Sequence, residues 1–197
     1  PSNENPDAID AGLQSLTVMA LQAGSELCRL LGDQELAQQC DLAQKKALKE
    51  AQKLGRSFLK NHDGSRKGDK QAAALLALCG AVPPQDVVEV LTHNGAANFS
   101  TFYGYYMLEA LAMAGEYQQA MDLLGTYWGG MLELGATTFW EDFDLAWMEN
   151  AARIDSLVPE GKTDVHGQYG AYCYVGFRHS LCHGRASGPT SWLSRHV

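Results

Sequence analysis

The sequence lacks any uninterrupted apolar run of about 18 residues, the length that a membrane-spanning helix needs, so we expect no membrane span. It also lacks a basic patch interleaved with aromatic residues. A formal net charge of −8 disfavours a polyanion as partner, so we expect no binding to nucleic acid. The basic residues between Lys45 and Lys70 alternate with polar ones, and we interpret them as a solvated helix face. No signal peptide is recognisable.

Cysteine is scarce and irregularly spaced. The five cysteines form no C-x-x-C pair, and three of them fall on apolar helical positions, where a cysteine is usually a small buried hydrophobe. We therefore expect no disulfide framework. A zinc site would have to combine His166, His179, Cys182 and His183, whose spacings match none of the usual tetrahedral sets. A Cys–His nucleophile pair fails because the adjacent Cys182 and His183 point in different directions. We predict no metal and no other cofactor.

Helical periodicity fills the first 134 residues. Apolar side chains recur at intervals of three and four from Leu13 to Leu31, and Gly32 ends this helix while Asp33 caps the next one. Further helices are predicted over 36–58, 71–79, 86–91, 102–114 and 116–134, and a last one from Pro189. Nothing in this part of the chain is typical of a strand.

Successive helices joined by tight turns make antiparallel hairpins. One helix of each pair is rich in small apolar residues and the other has a polar face, which favours an inner row of helices wrapped by an outer row. The pattern fits a bundle, a solenoid or a closed toroid, and functional residues should then lie at helix ends. Beyond residue 135 the chain becomes rich in glycine and aromatic residues, with a short β-hairpin predicted around 171–177.

One carboxylate stands out in the phrase "GATTFWEDF". Glu141 lies between Trp140 and Phe143, just past the end of a long helix. A carboxyl group packed against aromatic side chains loses solvation, which raises its pKa. A raised pKa suits the group to general acid–base catalysis on a sugar substrate. The alternative is that Trp140 is core and Glu141 caps the following segment. We interpret Asp142 and Asp144 as surface or capping residues.

Two further places offer polar side chains at helix ends. His183 precedes a glycine-containing loop that leads into the last helix, where it either binds a sugar hydroxyl or has a structural role. Glu4, Asp7 and Asp10 precede or begin the first helix, where acids usually complement the helix dipole. One of these acids is expected to face Glu141 if the helices form a ring.

Two phrases, "YWGGMLELGATTFWEDF" and "SLCHGRASGPTSWL", together resemble the α-L-rhamnosidases of glycoside hydrolase family 78. "FYGYYMLEALAMAGEYQQAMDLL" and the opening "SNENPDAIDAG" are similar to parts of the same family. The resemblance implies an all-α fold of antiparallel helical hairpins that form part of an (α/α)6 toroid. Residues 1–197 would then be a single α-helical domain, an incomplete piece of a larger six-hairpin barrel with further domains in the same parent chain.

The resemblance also implies an activity, the inverting hydrolysis of terminal α-L-rhamnosides without a metal. By this likeness Glu141 is the general base, Glu4 the general acid, Trp140 a wall of the sugar pocket and His183 a hydroxyl-binding residue. Asp10 is a further candidate for substrate binding. The two carboxyl groups of an inverting enzyme stand roughly 6.5 to 9.5 Å apart. The partner would be a rhamnose-containing glycan or glycoside, and the location periplasmic or extracellular.

The sequence departs from the family pattern at Arg185, where a tryptophan is expected, and in having no Asp-Trp phrase before Glu4. These departures keep two alternatives open. The first alternative is a non-catalytic helical toroid that binds carbohydrate or protein. The second is another glycosidase on the same kind of barrel.

Overall fold

The computed structural model describes residues 5–165 and 180–197, and these residues confirm the all-α prediction. Seven α-helices are present in these ranges: α1 (Pro6–Leu30), α2 (Gln34–Asn61), α3 (Asp69–Leu78), α4 (Val88–Thr92), α5 (Gly104–Met113), α6 (Tyr117–Glu133) and α7 (Gly188–His196). Short 3-10 turns cover Pro84–Val87, Leu145–Glu149 and Gly184–Ala186. No strand occurs in this part of the chain, where a single bridge pairs Ala151 with Thr163. The hairpin predicted around 171–177 lies outside the described residues.

The predicted helix ends are confirmed. The glycines that end α1, α3, α5 and α6 all take a positive φ, a conformation that costs other residues a steric clash: Gly32, Gly80, Gly115 and Gly135. Asp33 caps α2, because its carboxylate accepts a 3.0 Å hydrogen bond from the backbone N–H of Leu36. The segment after Pro83 differs from the prediction of one helix, since a 3-10 turn precedes α4.

Alternate helices lie side by side in a row, α1–α3–α5–α7, and α2 packs along the outside of α1. Helices α1 and α2 are antiparallel, as shown by the bond from Ser25 near one end to Asp41 and the bond from Gln14 near the other end to the carbonyl of Ala47. The starts of α1 and α3 are adjacent, because Asn5 contacts Asp69. Most of the buried apolar residues that the structure describes belong to one cluster, which extends from Ala8 to Trp192.

The apolar stripe that the sequence predicts on α1 is not the face that packs against the neighbouring helices. Leu13 is 61% exposed and Leu30 is 84% exposed, whereas Ala11 and Val18 on the opposite side are buried against the neighbouring helices. The regular stripe therefore remains uncovered, and small residues supply the buried face. In the part of the chain that is described, no helix is long and apolar enough to cross a membrane.

Candidate functional site

The starts of the helices in the row lie along one rim, where hydrogen bonds join segments distant in sequence. At one end, the side-chain amide of Asn5 donates to the carboxylate of Asp69 at 2.7 Å, which ties the start of α1 to the start of α3. Further along, the hydroxyl of Thr101, just before α5, donates to the backbone carbonyl oxygen of Glu141 at 2.6 Å. The rim therefore places Glu141 beside the start of α5, at a helix end as the sequence predicts.

The carboxylate of Glu141 is held by a backbone amide. Its Oε2 accepts a 2.8 Å hydrogen bond from the N–H of Ser180, while the Glu141 N–H donates to the Ser180 carbonyl at 2.8 Å. The side chain is partly buried, neither in bulk solvent nor sealed in the core. A carboxylate oxygen in a charge-assisted bond to a backbone N–H keeps a fixed direction. The N-cap of the 3-10 turn that follows is Asp144.

The pairing around Glu141 extends to His183. The N–H of His183 donates to the carbonyl of Phe139 at 2.8 Å, and the Thr138 hydroxyl donates to the carbonyl of Leu181. Residues 138–141 thus lie beside residues 180–183, with Glu141 bonded to Ser180 and His183 bonded to Phe139. Both predicted site residues, Glu141 and His183, belong to this pair of segments.

Trp140 occupies a different place from the predicted one. Its indole is 0% exposed and packs edge-to-face on Phe143, with ring centroids 6.1 Å apart, in an aromatic cluster below the rim. A fully buried ring offers no face to a ligand, so the prediction that Trp140 is a wall of the sugar pocket is wrong in this structure. Burial of the large indole removes apolar surface from water and stabilises this aromatic cluster.

The same cluster fixes the backbone after Glu141. Tyr127 donates a 2.6 Å hydrogen bond to the carbonyl of Phe143, and burial, followed by the nearby charges of Asp142 and Asp144, raises the pKa of Tyr127 well above its ordinary value. A Cβ on Gly130 would stand 3.1 Å from the ring of Phe143. The absence of a side chain on Gly130 thus permits the close approach of Phe143 to α6.

Both carboxylates that follow Glu141 act locally. Asp144 accepts from the N–H of Ala146 at 2.9 Å and caps the 3-10 turn over Leu145–Glu149. Asp142 accepts from the N–H of Phe143 at 2.9 Å. This agrees with their interpretation as capping or surface residues.

A hollow of about 230 Å³ opens near His183, between the start of α5 and the start of α7. Arg185 lies on one side of it, and Nε of Arg185 donates to Nε2 of His183 at 3.2 Å, so a neutral His183 carries its proton on Nδ1. The hollow is lined by Phe102, Tyr105, Tyr106, Arg185, Ser187, Gly188 and Ser191. It combines aromatic surface, hydroxyl groups and one cation, a composition suited to a small polar ligand.

Most of this hollow is not predicted by the sequence. The aromatic residues around the start of α5 indicate only a helix, and the structure brings Tyr105 and Tyr106 to the same hollow. Tyr105 is fixed in place, because its hydroxyl accepts a 2.8 Å hydrogen bond from Arg195 and a Cβ on Gly188 would stand 2.7 Å from its Cβ. The roles of Thr101 and Ser180 are not predicted by the sequence either, since neither has a recognisable motif around it.

Asp7 and Asp10 at the amino terminus do not line this hollow. Asp10 lines a separate cavity of about 80 Å³ between α1 and α2, together with Asp7, Leu54, Ser57 and Phe58. The structure thus does not bring Asp10 to the hollow beside His183. Glu4, the predicted general acid, lies outside the described residues.

Within residues 5–165 and 180–197, no three histidine, cysteine, aspartate or glutamate side chains are placed to hold a metal ion together. The four cysteines in these ranges, at 28, 40, 79 and 182, are all free thiols. Comparison with known proteins gives no match to a family model, to a curated protein or to a solved structure.

Proposed function

We propose that this chain is part of an inverting glycoside hydrolase that acts on terminal α-L-rhamnosides, with Glu141 as the general base. The observation that carries the proposal is the 2.8 Å hydrogen bond from the Ser180 N–H to Oε2 of Glu141 on a rim that also bears His183 and an aromatic hollow. A general base must be held within hydrogen-bonding reach of the water that it deprotonates. A backbone amide is a fixed donor, so this bond orients the carboxylate.

The sequence resemblance assigns the remaining roles. Glu4 protonates the leaving oxygen, and His183 binds a sugar hydroxyl through the ring nitrogen that does not face Arg185. In an inverting mechanism a water molecule stands between acid and base, so Glu141 and Glu4 would be roughly 6.5 to 9.5 Å apart in the active protein. Glu141 takes the proton of that water as its oxygen attacks the anomeric carbon and the glycosidic bond breaks.

The experiment is Glu141→Gln, with release of the aryl group from an aryl α-L-rhamnoside as the measurement. We expect turnover to fall by roughly 10²- to 10⁴-fold or more, since a glutamine cannot accept the proton. The Gln carbonyl oxygen still accepts the Ser180 N–H, so the fold and rhamnose binding should persist. Glu149→Gln, an exposed residue in the 3-10 turn, is the matched control and should keep full turnover. Equal turnover in wild type and Glu141→Gln would reject the role of Glu141.

A second candidate is a non-catalytic helical protein that binds carbohydrate. Two observations favour it: Glu141 is not among the residues that line the hollow, and a cation lines it where the resemblance leads one to expect a tryptophan. A panel of aryl glycosides separates the candidates. Release from the rhamnoside alone supports the first, release from another glycoside indicates a different glycosidase, and sugar binding without any release supports the second. The assay should use both this chain and the full polypeptide of its gene.

A further inference from the structure

Two cysteines face each other across the hairpin formed by α1 and α2. Cys28 lies in the last turn of α1, and Cys40 lies in the second turn of α2, twelve positions later in the chain. Both are free thiols and both are partly exposed, whereas Cys79 is buried. A small solute can therefore reach the first two sulfurs more readily than the third.

Small residues bring the two helices close together at this level. A Cβ on Gly24 would stand 3.8 Å from Sγ of Cys40, so this sulfur is in van der Waals contact with α1. Ser25 donates to the carbonyl of Ala37 at 3.2 Å and to the carboxylate of Asp41 at 2.6 Å, which fixes the register of the hairpin. A disulfide requires Cα atoms about 4.4–6.8 Å apart, a separation that the small side chains of this contact permit.

The directions of the two side chains converge. Cys28 follows Gly24 by one turn on the same face of α1, and its Cα–Cβ bond leans back toward the level of Cys40. Because α2 is antiparallel, the Cα–Cβ bond of Cys40 leans toward the start of α2 and hence toward Cys28. The two thiols are in hydrogen-bonding contact. Partial burial, followed by the effects of Cys40 and Asp33, raises the pKa of Cys28.

We propose that Cys28 and Cys40 form a reversible redox pair, whose disulfide cross-links α1 to α2 beside the turn at Gly32. The inference goes beyond the proposed function and does not depend on the rim that carries Glu141. The oxidant is the disulfide of a low-molecular-weight thiol, such as glutathione disulfide.

The reaction is two successive thiol–disulfide exchanges. One cysteine thiolate attacks a sulfur of glutathione disulfide, which forms a mixed disulfide and releases one glutathione thiolate. The second cysteine thiolate attacks the protein sulfur of this mixed disulfide and releases the other glutathione thiolate. Two protein thiols are thereby oxidised and one glutathione disulfide is reduced, and the two protons are taken up by the two glutathione thiolates.

The test is incubation of the reduced chain with mixtures of oxidised and reduced glutathione, followed by acid quenching, alkylation of free thiols, tryptic digestion and mass spectrometry. Trypsin cleaves after Arg29 and Lys45, so the two cysteines fall in separate peptides, 1–29 and 30–45. We expect these peptides to be linked by a reducible bond. Half-oxidation in native buffer should need a ratio of oxidised to reduced glutathione at least about tenfold lower than in concentrated urea, because the folded hairpin raises the effective concentration of one thiol at the other.

Serine variants identify the pair. Cys28→Ser and Cys40→Ser should each abolish the linked peptides, and Cys182→Ser, which replaces an exposed cysteine elsewhere, should retain them. Oxidation of wild type should raise the thermal unfolding midpoint by roughly 5 °C or more, because the cross-link restricts the unfolded chain, and reduction should reverse this rise. The proposal is overturned if the two peptides stay unlinked in native buffer, if urea leaves the required glutathione ratio unchanged, or if oxidation fails to raise the midpoint.

Discussion

The hydroxyl of Thr101 donates a 2.6 Å hydrogen bond to the backbone carbonyl of Glu141, a residue 40 positions later in the chain. Thr101 is buried, so its hydroxyl cannot exchange this bond for water. Together with the reciprocal bonds between Glu141 and Ser180, it holds the candidate base against the start of α5. The position of the carboxylate thus depends on packing between segments that no local motif connects.

Replacement of Thr101 by valine tests this relationship. The variant keeps the shape of the side chain but leaves the Glu141 carbonyl without its donor, so we expect the free energy of unfolding to fall by about 1–2 kcal/mol. Under the proposed function, rhamnoside turnover should also decrease. Thr126→Val is the matched control, since the Thr126 hydroxyl donates to the Asp122 carbonyl on an exposed face of α6, and its loss should cost little. Equal losses of unfolding free energy in the two variants would show that the Thr101 bond contributes no more to stability than an exposed bond within a helix.

Lys70 predicts a dependence of stability on pH. Its side chain is 0% exposed, and burial lowers its pKa to about 8. Its Nζ donates to the carbonyls of His93 and Gly95 at 2.7 and 2.6 Å, two bonds that a neutral amine can also make. Below pH 8 the native state therefore carries a buried charge. Between pH 8 and the ordinary lysine pKa the unfolded chain binds more protons than the native one, so stability must rise with pH.

The measurement is the free energy of unfolding in urea at pH 7.5 and pH 10. Wild type should gain up to about 3 kcal/mol relative to Lys70→Met over this interval, because the methionine does not titrate. Lys45→Met, on the exposed face of α2, should behave like wild type. NMR titration of the Lys70 ammonium group provides a second readout if the methionine variant does not fold. A midpoint near the usual lysine value would contradict the assigned shift.

The packing of α1 predicts opposite outcomes for two apolar residues on one helix. Val18→Ala should cost about 2 kcal/mol, since Val18 is 0% exposed and its removal leaves a cavity. Leu13→Ala should change stability by no more than about 0.5 kcal/mol, because Leu13 is 61% exposed. Urea unfolding of the two variants at the same protein concentration checks this. A larger cost for Leu13 than for Val18 would mean that the other face of α1 is the covered one.

The sequence by itself determined the helices and their ends. Gly32 and Gly115 end helices where they were expected to, and Asp33 caps α2, because these features depend on interactions within a few residues of the chain. The placement of Glu141 and His183 at helix ends was also predictable, since the same local signals mark the ends.

Tertiary structure alone decided which surfaces are covered. Periodicity marks an apolar stripe on α1 but does not specify a neighbour, and α2 and α3 cover the opposite side with its small residues. The burial of Trp140, the bond from Ser180 to the Glu141 carboxylate, and the hollow that Arg185 shares with the start of α5 all join segments distant in sequence. Such contacts form only when several helices pack together, and a short stretch of sequence does not specify the residues against which it packs.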